Sequence, residues 1–503
     1  MTQIQALRIA NRRSVGLVDI PVVPVSGAGR ILEEACLAGW RIVALFGMPE
    51  ESDRVRITGV ISHDERGQLA IFSTFVAHEY ASLTLRCRQA SRFEREIAEQ
   101  CGVTPVGHPH LNPLRRHRPD HAPSDWLTSE SPAWTHRFSR ISGDEVHEVA
   151  VGPVHAGIIE PGHFRLQAHG EEVLSLEIML GYQHRGVEGL LETLGRDRAI
   201  YVAESIAGDS VIAHTSAWCG AVEALARSRK SARAQTIRGI ALELERLANH
   251  VGDLGALSSD VAFQPAAAYF GRMRGECLNL LMLISGNRYG RGLIRPGGAG
   301  FDIDDEMARE TEHRIEDLDA DFTRVADLFF GAASVQSRLE GVGTVSQAAC
   351  IERGFVGPVA RACEIPRDVR HNHPYGVFRF AQVPVATAFA GDVYSRALVR
   401  RLEIERSIEF VIEQVRSLPK GEVRAECGAL APGELVVALE EGWRGEVAHV
   451  VVTNDDGSIR RHKVVDPSFK NWPAIELAMP GNQMSDFPLC NKSFNLSYAG
   501  HDL

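Results

Sequence analysis

No two of the nine cysteines stand in a CxxC or CxxxC arrangement; the closest pair, Cys350 and Cys363, is 13 residues apart. Neither an iron–sulfur cluster nor a zinc site held wholly within this chain is expected from such spacing. Scattered single cysteines read as small buried hydrophobes. An apolar run of the roughly 18 residues that a membrane-spanning helix requires is also missing. The first residues, MTQIQALRIANRRS, contain no apolar stretch of the kind found in a signal peptide. A cytoplasmic protein, or one peripheral on a membrane complex, is expected. No G-x-x-x-x-G-K-[ST] loop occurs, and no G-x-G-x-x-G follows a strand, so Gly297-Gly298 after Arg295-Pro296 is not read as a phosphate loop. Basic residues are outnumbered 54 to 65, for a net charge of −11. That balance argues against a nucleic-acid partner, and the short run Arg115-Arg116-His117-Arg118 reads as solvated loop charge.

What is present is an ordinary globular composition, 44% hydrophobic and 24% charged over 503 residues. That length predicts about two to four domains. Residues 1–110 read as an α+β domain. Ile31–Trp40 has helical patterning, Arg41–Phe46, Val55–Ile61 and Leu69–Ser73 read as strands, His63–Gly67 as a hairpin turn, and a helix runs through Phe93–Ile97. Residues 111–147, punctuated by Pro113, Pro119, Pro123 and Pro132, read as an extended linker. Residues 148–503 read as mainly helical. Ile237, Ile240, Leu244, Leu247, Val251 and Leu254 recur at spacings of three and four, the stripe of a packed helix over 233–257. Further helices are expected at 185–229, 265–288, 304–330 and 391–416. Short strands are expected at 436–439 and 449–452. The fold class is thus an α+β N-terminal domain followed by a mainly α domain with a central helix bundle and small β elements.

Motifs now accumulate in a fixed order. Gly152-Pro153-Val154-His155-Ala156-Gly157 is followed by Glu160-Pro161-Gly162-His163-Phe164. Then come His184-Arg185-Gly186-Val187-Glu188, Glu243-Leu244-Glu245-Arg246-Leu247-Ala248-Asn249-His250, Arg295-Pro296-Gly297-Gly298, Gly357-Pro358-Val359-Ala360-Arg361, Gly391-Asp392-Val393-Tyr394-Ser395-Arg396 and Trp443-Arg444-Gly445-Glu446. In this order they resemble the superfamily that joins hydrogenase large subunits to the quinone-site subunit of respiratory complex I, and formate hydrogenlyase large subunits in particular. Glu94-Arg95-Glu96-Ile97 and Gly107-His108-Pro109-His110-Leu111 resemble the complex I subunit that docks beside it, which hydrogenlyase large subunits carry fused in front.

In the hydrogenase branch the resemblance implies four metal-binding cysteines in two CxxC pairs, because soft thiolates suit nickel and iron. Here the matching positions hold Ala207, Ser210, Ser497 and Gly500. Cys219 lies nine residues past Ser210 and Cys490 lies outside the C-terminal register, so neither restores a pair. The chain resembles cysteine-free members, and no nickel–iron centre is expected. The His and Tyr that bind quinone in the complex I branch are unmatched, falling near Ile159 or Glu160 and near Gly208.

The resemblance further implies roles for individual residues. Glu188 matches the acid that moves protons from the metal site, against a plain ion pair with Arg185. Arg444 matches the arginine that overhangs the pocket, against a pair with Glu446. His214 joins them as a candidate catalytic residue, and His155, His163, Ser210 and Ser497 are expected to line the vacated cavity. Glu243, Arg246 and His250 share a helix flank and read either as a charge-carrying network or as satisfied polar groups. No cofactor is expected on this chain alone, except a quinone. The implied partners are a small subunit bearing an iron–sulfur cluster, a ferredoxin-like subunit and antiporter-like membrane subunits, on the inner face of the cell membrane. Three functions follow from the resemblance: electron transfer to a quinone or similar acceptor, a non-catalytic coupling scaffold, or a hydrogenase with unorthodox ligands.

Overall fold

A computed structural model describes residues 5–50, 53–115, 136–155 and 159–503. Near the N-terminus three strands, Arg41–Pro49, Val55–His63 and Gln68–Val76, form an antiparallel meander, and Leu7–Ile9 adds to its outer edge. Gly67, at φ 58°, closes the turn before the last strand. Strand Arg41–Pro49 is buried along nearly its whole length, an unbroken apolar run of the kind that is covered on both faces. Helices Val25–Leu37 and Ser91–Cys101 pack against this sheet, and the second domain's sheet meets strand Arg41–Pro49.

That second sheet is antiparallel, in the order Ile459–Val465, Gly445–Thr453, Glu434–Gly442 and Val15–Gly16. Its last strand comes from the chain's N-terminal segment, whose Arg12 amide donates to the Val437 carbonyl at 2.8 Å. Residues that the sequence groups with the first 110 thus complete a sheet made of strands from 434–465. Arg41 joins the two sheets again. Its guanidinium forks onto Asp64 at 2.7 and 2.8 Å and onto Glu446 at 2.8 and 2.5 Å, all buried. Two carboxylates on one fixed fork satisfy a charge that would otherwise be stranded.

The helical part is built on Ala232–Asp260, which packs against Gln264–Ser285 and Val393–Arg416. All six residues of its predicted apolar stripe are fully buried. Asp304 and Asp392 cap helices Asp305–Gly331 and Val393–Arg416 through their side chains, the signal that fixes where those helices start.

The structure departs from the expected elements in two places. The region 185–229 is not one helix but three, Val187–Thr193, Arg196–Ala203 and Val211–Leu225. Residues 146–179 form a three-stranded antiparallel sheet rather than helix, with strands Val146–Val151, His163–His169 and Glu172–Met179. Phe164, Leu166 and Ala168 alternate inward and are buried, a period of two that outweighs any helical reading. Much of the expected linker, residues 116–135, lies outside the described residues.

Candidate functional site

The second break in the helical run has a tertiary cause. Between Ala203 and Val211 the chain stays out of helix, and Arg444 holds it there. Arg444 sits in the hairpin turn joining Glu434–Gly442 to Gly445–Thr453, stacked on the ring of Trp443 at 3.9 Å. Its guanidinium donates to both oxygens of Asp209 at 2.6 and 2.7 Å, to Ser210 Oγ at 3.3 Å, and to the Asn495 carbonyl at 2.5 Å. Trp443 Nε1 donates to the Asp209 carbonyl at 2.9 Å. Burial works against the Arg444 charge, but Asp209 outweighs it and holds its pKa above the ordinary value. The acid partner is thus Asp209 and not Glu446, which serves Arg41 and Lys470.

Helix Val211–Leu225 begins immediately afterwards. Glu245, on the long helix, takes the amides of Ile212 at 2.6 Å and Ala213 at 3.1 Å, satisfying donors that a helix start leaves free. Burial pushes Glu245 up to about 8. His214, one turn in, is fully buried. Its Nε2 lies 2.9 Å from Asp466 Oδ2.

Asp466 opens helix Pro467–Ala478, its Oδ1 accepting from the Ser468 amide at 2.7 Å. The last helix, Tyr498–His501, is laid beside it. Ser468 Oγ accepts from the Ser497 amide at 2.9 Å, and Ser497 Oγ accepts from the Gly500 amide at 2.9 Å. A Cβ placed on Gly500 would stand 2.6–2.8 Å from the Asp466 carboxylate. Ala207, Ser210, Ser497 and Gly500 are all buried. Asp466 thus fills the space beside Gly500, and Arg444 with Asp209 closes over Ser210. None of Ala207, Ser210, Ser497 and Gly500 carries the sulfur that a nickel–iron centre takes as ligand. Among the described residues no group of three or more His, Cys, Asp or Glu is arranged to hold a metal.

The structure brings Ser210, His214, Arg444, Ser497 and Gly500 together. The other candidates stand apart. His155 Nε2 lies 2.8 Å from the Gly162 carbonyl and His163 Nδ1 lies 3.2 Å from that of Gly152; both bridge the two sides of a loop. None of the described contacts of either reaches Arg444 or His214. Glu188 opens helix Val187–Thr193. Lys463 donates to it at 2.8 Å, Arg461 at 2.8 Å, Gln100 at 3.1 Å and the Val464 amide at 3.0 Å. Burial would raise its pKa, but Lys463 and Arg461 hold it well below the usual carboxylate range. This corrects one expectation: Arg185 is not its partner, donating instead to the Ser205 and Ile206 carbonyls. A cavity of about 290 Å³ between the first domain and helix Pro467–Ala478 is lined by none of these candidates.

Glu243, Arg246 and His250 do join a buried network. Glu243 accepts from Arg370 and Ser407, His250 Nε2 lies 2.8 Å from Glu403, and Arg361 bridges Glu403 and Glu441. Sequence reading missed Asp209, Asp466 and Glu245. Asp466-Pro467-Ser468 carried a signal, since Asp before Pro marks a helix start.

Residues 260–432 match the family described as the 49 Kd subunit of respiratory-chain NADH dehydrogenase. The carbon monoxide-induced hydrogenase of Rhodospirillum rubrum is 30% identical over 350 residues, 69% of this chain and 97% of that one. Formate hydrogenlyase subunit 5 of Escherichia coli is 29% identical over 439 residues, 84% and 77% of the two chains. An NADH-quinone oxidoreductase component of Clostridium beijerinckii is 29% identical over 319 residues, 63% and 86% of the two. A chain in the solved structure of the membrane-bound sulfane sulfur reductase, an archaeal respiratory membrane complex, shares the fold with a TM-score of 0.67 at 24% identity, covering 71% of this chain and 99% of that one. The chain belongs to the family that unites hydrogenase large subunits with the 49-kDa subunit of complex I. Its relatives are subunits of membrane-associated respiratory and hydrogenase complexes. Among the described residues no helix is long and apolar enough to cross a membrane.

Proposed function

We propose that this chain is the large subunit of a membrane-associated, hydrogenase-related oxidoreductase that works without a nickel–iron centre. It receives electrons from an iron–sulfur cluster in a neighbouring small subunit and passes them to a quinone or a similar organic acceptor. A ferredoxin-like subunit and antiporter-like membrane subunits complete the assembly, which lies on the inner face of the membrane. The observation that supports this reading is the site at Arg444. A guanidinium fixed over Trp443, with Asp209, Ser210 and His214 beside it, is a preorganised cation where a reduced acceptor gathers negative charge. The protein's own contribution is to hold that charge and to offer protons through His214 and Asp466.

A second reading has its own support. Asp466 occupies the space a side chain at Gly500 would need, so the former ligand positions leave little room for an acceptor among them. On that reading the chain is a coupling scaffold, and the network of Glu243, Arg246, His250, Arg361 and Glu403 transmits charge or strain. One experiment separates the two. The assembled complex is reduced with methyl viologen and supplied with decylubiquinone. Quinone reduction that falls sharply in Arg444→Ala, with the iron–sulfur cluster still reducible, supports electron transfer here. No quinone reduction and no quinone binding by the intact wild-type complex would leave the scaffold.

A further inference from the structure

We propose that Asp466, His214, His449 and His462 form a proton relay, running from the buried site at Gly500 across the sheet to the Glu192 edge. The four groups are placed by simple periodicities. His449 lies on strand Gly445–Thr453 and His462 on strand Ile459–Val465, where the register pairs His449 with Val464 and His462 with Val451. The two histidines are therefore diagonal neighbours on one face of the sheet. Helix Val211–Leu225 packs on strands Glu434–Gly442 and Gly445–Thr453, and brings His214 against His449. All three imidazoles are fully buried.

The hydrogen bonds form one unbroken line. His214 Nε2 lies 2.9 Å from Asp466 Oδ2, His214 Nδ1 lies 3.3 Å from His449 Nε2, and His449 Nδ1 lies 3.0 Å from His462 Nε2. An ionised carboxylate only accepts, so His214 carries its hydrogen on Nε2 and accepts at Nδ1. His449 must then donate from Nε2 and accept at Nδ1, and His462 must donate from Nε2. One acid thus sets the tautomer of three rings. The far end is left with a bare lone pair: His462 Nδ1 is buried and has no hydrogen-bond partner. Beside it the His462 amide donates to Glu192 at 3.0 Å, and the Glu192 side chain is 23% exposed.

This order gives the line a direction. A proton from solvent binds His462 Nδ1. The Nε2 proton of His462 passes to His449 Nδ1, that of His449 passes to His214 Nδ1, and that of His214 passes to Asp466. Three N–H bonds break, three form, one carboxyl O–H forms, and no electron moves. Against its burial, Asp466 is held ionised at rest by His214 and Arg444, so it is neutral only in passing and hands the proton on, beside Arg444, to an acceptor that has taken up electrons. Glu188 and Arg461 face His462, Glu188 also faces His449, and Arg444 faces Asp466. Burial holds His449 and His462 well below the ordinary imidazole value. Neither ring retains a charge, so the proton passes along without being stored. Packing alone gives no reason for three imidazoles in this layer, since aliphatic side chains would fill it without stripping water from polar rings.

Two measurements on the assembled complex test the relay, and only the second rests on the redox reading. In histidine-15N-labelled protein all three rings are expected as Nε2–H tautomers, with His462 Nδ1 unprotonated. An Nδ1–H tautomer on any of the three overturns the relay. With reduced methyl viologen and decylubiquinone, His449→Phe and His449→Gln are expected to lower kcat at least ~10-fold and to raise the solvent deuterium isotope effect. KM and reduction of the iron–sulfur cluster should stay unchanged. Wild-type kcat and isotope effect in both variants would overturn it. If the wild-type complex reduces no quinone, the electron-transfer function fails, and the tautomer pattern alone decides the relay.

Discussion

Gly500 offers the sharpest test of how the site was rebuilt. It lies inside helix Tyr498–His501 and its φ is not in the left-handed region, so Gly500→Ala should by helix propensity alone stabilise by about 1 kcal/mol. The site reverses that sign. The new Cβ would stand 2.6 Å from Asp466 Cγ and 2.7–2.8 Å from its oxygens. Asp466 cannot swing aside freely, because its Oδ1 caps a helix through Ser468 and its Oδ2 holds His214. Losing the cap costs about 1 kcal/mol, and losing a hydrogen bond to a charged group about 1.5–3. Overpacking without that movement costs about 1–3. Set against the propensity gain of about 1 kcal/mol, the first route costs about 1.5–3 kcal/mol net and the second about 0–2. Gly500→Cys, whose side chain is larger, should cost more. In an Asp466→Ala background the obstruction is gone, and Gly500→Ala should become neutral or stabilising. The coupling between the two positions is thus about 1–4 kcal/mol. Urea-unfolding midpoints of the four proteins, each purified in its complex, measure it. Stabilisation by Gly500→Ala in the wild-type background, or an equal cost in both backgrounds, would refute the reading that Asp466 fills the space beside Gly500.

Metal analysis of the complex should find nickel far below one per chain; one nickel per chain would make the account of the site wrong. Glu188→Gln leaves Lys463 and Arg461 short of one carboxylate in a buried setting, though Glu96 and Glu192 remain. A loss of about 2–4 kcal/mol at neutral pH is expected. Because burial is outweighed by Lys463 and Arg461 and Glu188 is held below its unfolded pKa, its contribution is present above about 4.3 and is lost as pH falls through the folded value. The variant's deficit should therefore shrink in acid, and a deficit that grows there contradicts the pairing. Glu245 has the opposite sign. Its folded value of about 8, raised by burial, means that stability falls as pH rises from about 4.5 to about 8. Glu245→Gln should flatten that slope, gaining on the wild type by about 3–5 kcal/mol across the window, read from unfolding midpoints against pH; parallel curves would reject it.

What the sequence disclosed, and what it withheld, divides along a physical line. Local signals held. The three-and-four spacing from Ile237 to Leu254 marked a buried helix flank, and the alternation in 55–61 and 69–73 marked strands. Long-range pairing escaped. Nothing near residue 209 announces that an arginine 235 positions away will hold it out of helix. Glu446 seemed the natural partner for Arg444, but its side chain instead meets Arg41, 405 positions earlier. The sheet at 146–179 was a different failure, since Phe164, Leu166 and Ala168 carried a legible period of two that the neighbouring motifs overshadowed.

The charges of the site are paired one by one. Deleting thiolates from a buried site and doing nothing else would leave Arg444 and a polar hollow uncompensated, and a lone buried charge is strongly destabilising. Here each charge is matched. Asp209 takes both arms of the Arg444 fork, and Asp466 takes His214 while capping a helix. Asp466 is opposed by burial, yet the His214 hydrogen bond keeps its pKa below the usual value, so it serves as an acceptor at rest. The two acids leave a fixed cation and a proton-accepting group side by side, the pairing on which the proposed reduction of an organic acceptor rests.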